Sequence, residues 1–308
     1  MAAVEVWGGG VNTWECDRMG HMNVRYYVAK AMDGLAGLAA ELGMPRVFAP
    51  GAQATLVVRE HHIRFLREAH PGSFLFMTGG VLEMGECEAR LLLTLFHPNG
   101  EPCATFNTVV AHVTAEEGRP FPWPQRIRER AKALQVELED YAAPRSIRLD
   151  PVVSAASLQR AEALNLRRAG RGVFDVRDCD AFGRMRPELF MSKLSDGISQ
   201  VFGGATSQLV ANGAPEGARI GGAALEYRLL YFGWPRAGDR YVLRSGLSDC
   251  DERVRRLIHW LLDPETGRPW GVAEAIVISL DLDARKVIKM PPEAQAAIRR
   301  EAYAELTL

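Results

Sequence analysis

The chain is a duplication, and this restricts its fold more than any other feature. The stretch Trp14–Tyr27, WECDRMGHMNVRYY, is answered between Arg177 and Phe190 by RDCDAFGRMRPELF. Asp17 corresponds to Asp180 and Gly20 to Gly183, both at an offset of 163 (180 − 17). The offset persists downstream. From Val24 the residues Tyr27, Val28, Ala31, Leu35, Leu38, Ala39 and Leu42 follow helical spacing and stop at Gly43 and Pro45, and Phe190, Met191, Leu194, Ile198, Val201 and Phe202 occupy the corresponding places. Gly34 and Gly197 also correspond. A glycine inside a helix costs about 1 kcal/mol relative to alanine, so close approach of another backbone is expected at each.

Each helix is followed by four strand-like runs. In the first copy they are Thr55–Leu66, Ser73–Met84, Glu88–His97 and Cys103–Thr114; in the second, Ala223–Phe232, Arg240–Leu247, Arg253–Leu262 and Trp270–Leu282. Turn chemistry such as Pro98-Asn99-Gly100 separates them, which predicts consecutive antiparallel neighbours. Ahead of the first helix, Gly8, Gly9 and Gly10 interrupt any long strand, leaving a short one around Val11–Trp14. The stripe Ile127, Ala131, Leu134, Leu138, Tyr141 and a shorter pattern through Ile298 and Ala302 predict closing helices, and Ser154–Leu164 has helical character. The reading is an α+β chain of two tandem units, each a curled antiparallel sheet wrapped around a long central helix. One unit alone leaves an open sheet edge, so the two copies are expected to pair as an intramolecular pseudo-dimer. The boundaries are 1–141 for the first unit with its closing helix, 142–170 for a linker and 171–308 for the second.

With 308 residues, a net charge of −1 and a pI near 6.7, nothing attracts nucleic acid or an anionic membrane in general. Five cysteines without metal-ligand spacing, and no basic-then-apolar start, point to free thiols in a cytoplasmic setting. Apolar runs such as Leu91–Phe96 fall far short of the roughly 20 residues a membrane span needs. His61 and His62 are adjacent on a strand and face opposite sides, so they form no metal pair, and no metal or cofactor is expected.

Asp17-Arg18-Met19-Gly20-His21-Met22-Asn23, with Tyr27 beyond, resembles the D-x-x-G-H-x-N-x-x-x-Y signature of hotdog-fold thioesterases of the 4-hydroxybenzoyl-CoA and acyl-ACP thioesterase type. HHIRFLREAHPG, His61 to Gly72, is similar to the strand and turn that follow the helix in that family. The resemblance implies two tandem hotdog folds and hydrolysis of an acyl-CoA or acyl-ACP thioester, with coenzyme A present only as part of the substrate. It implies Asp17 as general base or nucleophile, assisted by His21 and Asn23. Backbone N–H groups at the helix start, Gly20 and Met22, are implied as the oxyanion hole. Some relatives take their acid from the central helix, which makes Asp33 a fallback.

Each residue also has a plainer role. Asp17 suits an Asx turn or cap, and Asp180 repeats it; Asn23 suits a helix cap; His21 suits a loop histidine bonded to a carbonyl. Lys30 and Asp33, like Lys193 and Asp196, are spaced as solvated i,i+3 ion pairs. In the second copy His21 is replaced by Arg184 and Asn23 by Arg186. The pair could bind coenzyme A phosphates or a substrate carboxylate, or be surface charge in a decayed copy. Glu274, in the apolar run VAEAIVI, either points outward, is buried with a partner, or serves catalysis across the pseudo-dimer interface. The competing function is a non-catalytic acyl-CoA-binding or regulatory hotdog protein. A hydratase fits less well, for want of a second Asp/His constellation at a helix start. Assembly beyond the internal pairing, including a further homo-oligomer, stays open.

Overall fold

The computed structural model describes residues 3–202, 218–303 and 305–308. It has two compact units, Met1–Pro144 with Asp175–Met191, and Arg145–Phe174 with Ser192–Leu308. The turn and helix entrance of the second copy therefore belong to the same unit as the first copy.

In the first unit, β1 (Val4–Gly10) is followed by a 3-10 turn at Thr13–Glu15, the central helix α1 (Val24–Glu41), and strands β2 (Ala54–Phe65), β3 (Phe74–Met84), β4 (Glu88–Phe96) and β5 (Pro102–Thr114). The antiparallel strand order is β1-β3-β4-β5-β2. One stripe of α1, including Val28, Ala31, Leu35 and Leu38, is buried, and Leu38 and Leu93 both lie against Gly79 of β3. Truncating such a buried leucine to alanine costs about 2–5 kcal/mol.

Three local expectations change. The first strand lies earlier than Val11–Trp14, because the glycine run pairs with β3 (Gly8↔Phe76, Gly9↔Leu75, Gly10↔Phe74) and the Trp7 ring covers Gly9. Gly34 admits the Met77 thioether rather than a backbone; the backbone contact of α1 is at Gly37, against the Val6 carbonyl, whereas Gly197 does meet the Ala169 carbonyl. The closing helix α2 (Gln125–Ala133) ends before the predicted stripe does. Beyond it, Val81 N–H donates to Leu134 O and Val136 N–H to Val81 O, so the chain runs as an extended segment along β3, where Gly80 leaves room for Val136.

The second unit holds α3 (Leu158–Ala163), β6 (Arg167–Val173), β7 (Ile220–Tyr231), β8 (Arg240–Cys250), β9 (Val254–Leu262), β10 (Pro269–Asp281), a short β11 (Lys286–Val287) and α5 (Pro292–Arg300). Its order, β6-β8-β9-β10-β7, repeats that of the first unit, with β11 added on β10. The central helix α4 (Pro187–Phe202) begins in the first unit and continues in the second; the side chains of Ile198, Val201 and Phe202 lie outside the described residues. The segment before β6 is strapped down. Buried Glu226 accepts from the N–H groups of Arg145 and Ser146, and Arg228 donates to the carbonyls of Arg148 and Asp150. Ala156, Ala161 and Leu166 pack with Trp260 and the C-terminal Leu306 and Leu308.

Candidate functional site

The site grows from the turn ahead of α1. Glu15 is held inside by Lys30, whose Nζ lies 2.9 Å from Oε1, donates to Gly10 O and sits over the Trp7 ring. Lys30 is thus buried against Glu15, not solvated beside Asp33: a carboxylate already fixed by the 3-10 turn outcompetes an exposed i,i+3 partner. In the second copy Lys193 lies over the rings of Phe174 and Tyr241, and Asp196 accepts from Ser192. Neither expected pair forms.

From Cys16 the chain makes a tight hairpin closed by a bridge to Met22. Asp17 N–H donates to His21 O, Gly20 N–H to Asp17 O, and Met19 N–H to Asp17 Oδ1 at 2.8 Å. Gly20 has φ +81°, a region glycine enters without a Cβ penalty. The turn thereby uses one carboxylate oxygen of Asp17. The other, Oδ2, lies 3.4 Å from His21 Nδ1, with 22% of the Asp17 side chain and 14% of the His21 side chain exposed. The imidazole is flanked again: Nε2 is 4.0 Å from Glu68 Oε1, and Glu68 Oε2 is 3.7 Å from His70 Nε2. His70 Nδ1 returns to Gly20 O at 3.1 Å. Glu68 and His70 lie in the HHIRFLREAHPG segment, but an acid and a histidine at i,i+2 in a loop carry no signal of their own until the loop folds back on the hairpin.

Two residues of the motif have structural duties. Asn23 caps α1, its Oδ1 accepting from Arg25 N–H at 3.0 Å. Tyr27 OH accepts from Ala69 N–H, which fixes the loop carrying Glu68 and His70. The expected oxyanion donors are corrected here. Gly20 N–H is committed to Asp17 O, and Met22 N–H donates to Ala69 O at 2.8 Å with Met22 buried, so neither points at a substrate.

The second turn has the same backbone and different chemistry. Asp180 Oδ1 accepts from the N–H groups of Phe182 and Arg184, and the side chain is exposed. Arg184, 5% exposed, donates from its guanidinium to Ala115 O and lies over the Phe182 ring. Arg186 pairs with Glu188 Oε1 at 3.2 Å and donates to Arg177 O. Both arginines thus make internal bonds, unlike the open phosphate-binding pair that the sequence allows.

Glu188 and Asp33 are acids of this unit whose pKa is raised. Burial raises the Glu188 pKa against the opposing charges of Arg186 and Arg25, with Asp33 adding to the rise. Asp33 reaches solvent, yet partial desolvation still raises its pKa, with Lys30 opposing. In the second unit Glu274 is buried in an ion pair with Arg256, which takes the inward-with-partner alternative and neutralises it. His61 and His62 are both buried, and His61 Nδ1 meets Thr108 Oγ1 at 2.9 Å. Among the described residues no three His, Cys, Asp or Glu side chains are grouped to hold a metal ion. No described helix is long and apolar enough to cross a membrane.

A long helix against a curled five-stranded antiparallel sheet, with an acid and a histidine in the turn before the helix, defines a hotdog-type thioesterase fold. Residues 11–131 and 174–298 both match the family described as the Thioesterase-like superfamily, and the chain belongs to it. Its activity class is therefore thioester hydrolysis. An acyl-ACP thioesterase from Bacteroides thetaiotaomicron shares the fold at 11% identity, with a TM-score of 0.62 over 88% of this chain and 96% of the other. A 12:0-ACP thioesterase from Umbellularia californica does so at 11% identity and 0.60, over 88% and 92%. A protein provisionally identified as an oleoyl thioesterase from Lactobacillus plantarum gives 11% and 0.64, over 89% and 96%. No curated protein sequence matches the chain.

Proposed function

We propose that the chain hydrolyses an acyl-CoA thioester at the Asp17–His21–Glu68 cluster, with the copies paired as a tandem pseudo-dimer of units 1–141 and 171–308. The observation that supports it is the asymmetric use of the Asp17 carboxylate: Oδ1 is bound into the turn while Oδ2 faces an imidazole. In this reading Asp17 takes a proton from water as the water oxygen attacks the thioester carbon. The tetrahedral intermediate collapses by breaking the C–S bond, and the proton passes to the departing thiolate. His21, steadied by Glu68, orients Asp17 and the water; general-base assistance of this kind is worth about 10²–10⁴ in rate. With Gly20 and Met22 committed, the carbonyl oxygen is left to the positive end of α1. Asn23 acts by placing that helix end.

The test is thiol release across short, long and aromatic acyl-CoAs, with acyl-ACP in parallel because two fold neighbours carry that carrier in their names. Asp17→Asn is expected to lower kcat at least about 100-fold, and Asp180→Asn to change it little. Undiminished turnover in Asp17→Asn removes the base. Stabilisation of the wild type by acyl-CoA without thiol release favours the binding-protein reading instead.

A further inference from the structure

The loop that brings Glu68 to His21 is gripped on both sides of the acid by buried side chains. On one side Cys103 Sγ donates to Arg67 O at 3.2 Å; on the other, Tyr27 OH accepts from Ala69 N–H at 3.1 Å. The thiol and the hydroxyl lie 3.8 Å apart, so the two grips form one connected clamp, and Tyr27, Ala69 and Cys103 are all buried. Burial pushes the Cys103 thiol up to about 12 and raises the Tyr27 phenol as well. Both stay protonated at neutral pH, which suits them to hydrogen bonding rather than to nucleophilic or base chemistry.

The second copy keeps the backbone of this corner and changes every member of the clamp. The N–H groups of Leu66 and Arg67 donate to Cys103 O at 2.9 and 3.1 Å, and those of Phe232 and Gly233 donate to Trp270 O at 2.9 and 3.0 Å. In that register Pro235, which has no N–H, stands for Ala69, and Trp234 stands for Glu68. Trp270 stands for Cys103, and its indole N–H is used on Arg240 O at 3.2 Å. By the helix offset Phe190, which has no hydroxyl, stands for Tyr27. Hydrogen-bonding groups at three separate places in the chain thus change together with the acid they flank. The corner forms without the clamp, so the fold itself does not require it.

We propose that Tyr27 and Cys103 are positioning residues for thioester hydrolysis: they hold the peptides on either side of Glu68 so that its carboxylate stays beside His21, and they act through that acid alone. The proposal rests on the reading of the Asp17–His21–Glu68 cluster as the hydrolytic site. Misplacing a catalytic group by about 1 Å can cost on the order of 100-fold in rate. The modest net worth of one hydrogen bond limits how far the loop is freed, so losing one grip is expected to cost about tenfold.

The test is a double-mutant cycle in the full chain. Thiol release from acetyl-, palmitoyl- and benzoyl-CoA is measured beside hydrogen exchange of residues 66–70. Tyr27→Phe, which copies the ring of the second unit's counterpart, is expected to lower kcat about tenfold with KM changed less than about twofold, and to speed exchange in the loop. Glu68→Gln also lowers kcat, and in that background Tyr27→Phe is expected to add nothing. If Tyr27→Phe does not fold, Cys103→Ala, expected to lose about threefold, takes its place in the cycle. Losses that multiply, a change confined to KM, or wild-type kcat in Tyr27→Phe overturn the proposal. Undiminished turnover in Asp17→Asn, or no turnover of any of the three thioesters, is the separate failure of the hydrolytic reading and overturns the clamp's role with it.

Discussion

The Asp17 and Asp180 turns share one backbone and differ in what surrounds the carboxylate. Both begin with an acid whose Oδ1 caps the turn, both reach a left-handed glycine, and both close with a bridge to a methionine. Around Asp17 the next layer is titratable, a histidine between two carboxylates. Around Asp180 it is Arg184 and Arg186, each bonded to protein carbonyls or to Glu188. A repeated acid is thus a property of the turn, and the neighbours decide whether it can do chemistry.

Exchanging those neighbours gives the largest expected effect. The double variant His21→Arg/Asn23→Arg makes the first turn like the second. It is expected to lose at least about 100-fold in thiol release, similar to Asp17→Asn, because the general base has lost its orienting partner and the helix its cap. A double variant that hydrolyses at the wild-type rate breaks the comparison, since the neighbours would then not matter.

The reverse side of the comparison is read in stability. Arg184 is buried with its guanidinium on Ala115 O, so Arg184→Ala is expected to cost about 1.5–3 kcal/mol, the range for a charged hydrogen bond. His21→Ala, at a partly buried site with 14% of the side chain exposed, is expected to stay within about 1 kcal/mol while losing activity. Denaturant titration with thiol release on the same samples checks both. Equal destabilisation by the two changes would show that His21 also serves mainly to hold its turn.

The repeat itself made much of this fold legible. Helix register, strand number and the turn acids can all be read twice, and noise rarely agrees with itself at a fixed offset. Partner choice among charges was not legible. Lys30 could reach Asp33 by spacing, but only the folded turn shows Glu15 already buried beside it. Glu68 escaped notice for a related reason: it enters the site through a loop pinned by Tyr27 OH and Met22 N–H, and sequence spacing does not report such pinning. The glycine run misled because glycine marks both strand ends and places where a neighbouring ring or helix comes close. The structure assigns Gly9 to the latter, beneath Trp7.

A pH-dependent effect is expected at the buried rung of the second unit, where Ser245 of β8 stands opposite His259 of β9. His259 stands where the first copy has Leu93, and burial lowers its pKa from 6.5 to about 4. Between those values the unfolded chain binds a proton that the folded chain does not, so the group's contribution to stability is complete above pH 6.5 and is lost as pH falls towards about 4. A shift of that size corresponds to an order of a few kcal/mol, reduced where acid opens the structure. His61 adds to the same acid limb, its pKa lowered by burial to about 3. The double variant Ser245→Gly/His259→Leu gives the second unit the first unit's pair. Urea unfolding between pH 4 and pH 7 is expected to show a shallower loss of stability on the acid side in this variant, with the remaining slope reduced further by His61→Leu. An unchanged slope would mean that His259 is protonated alike in folded and unfolded chains, and that the rung's polarity serves no pH-linked role.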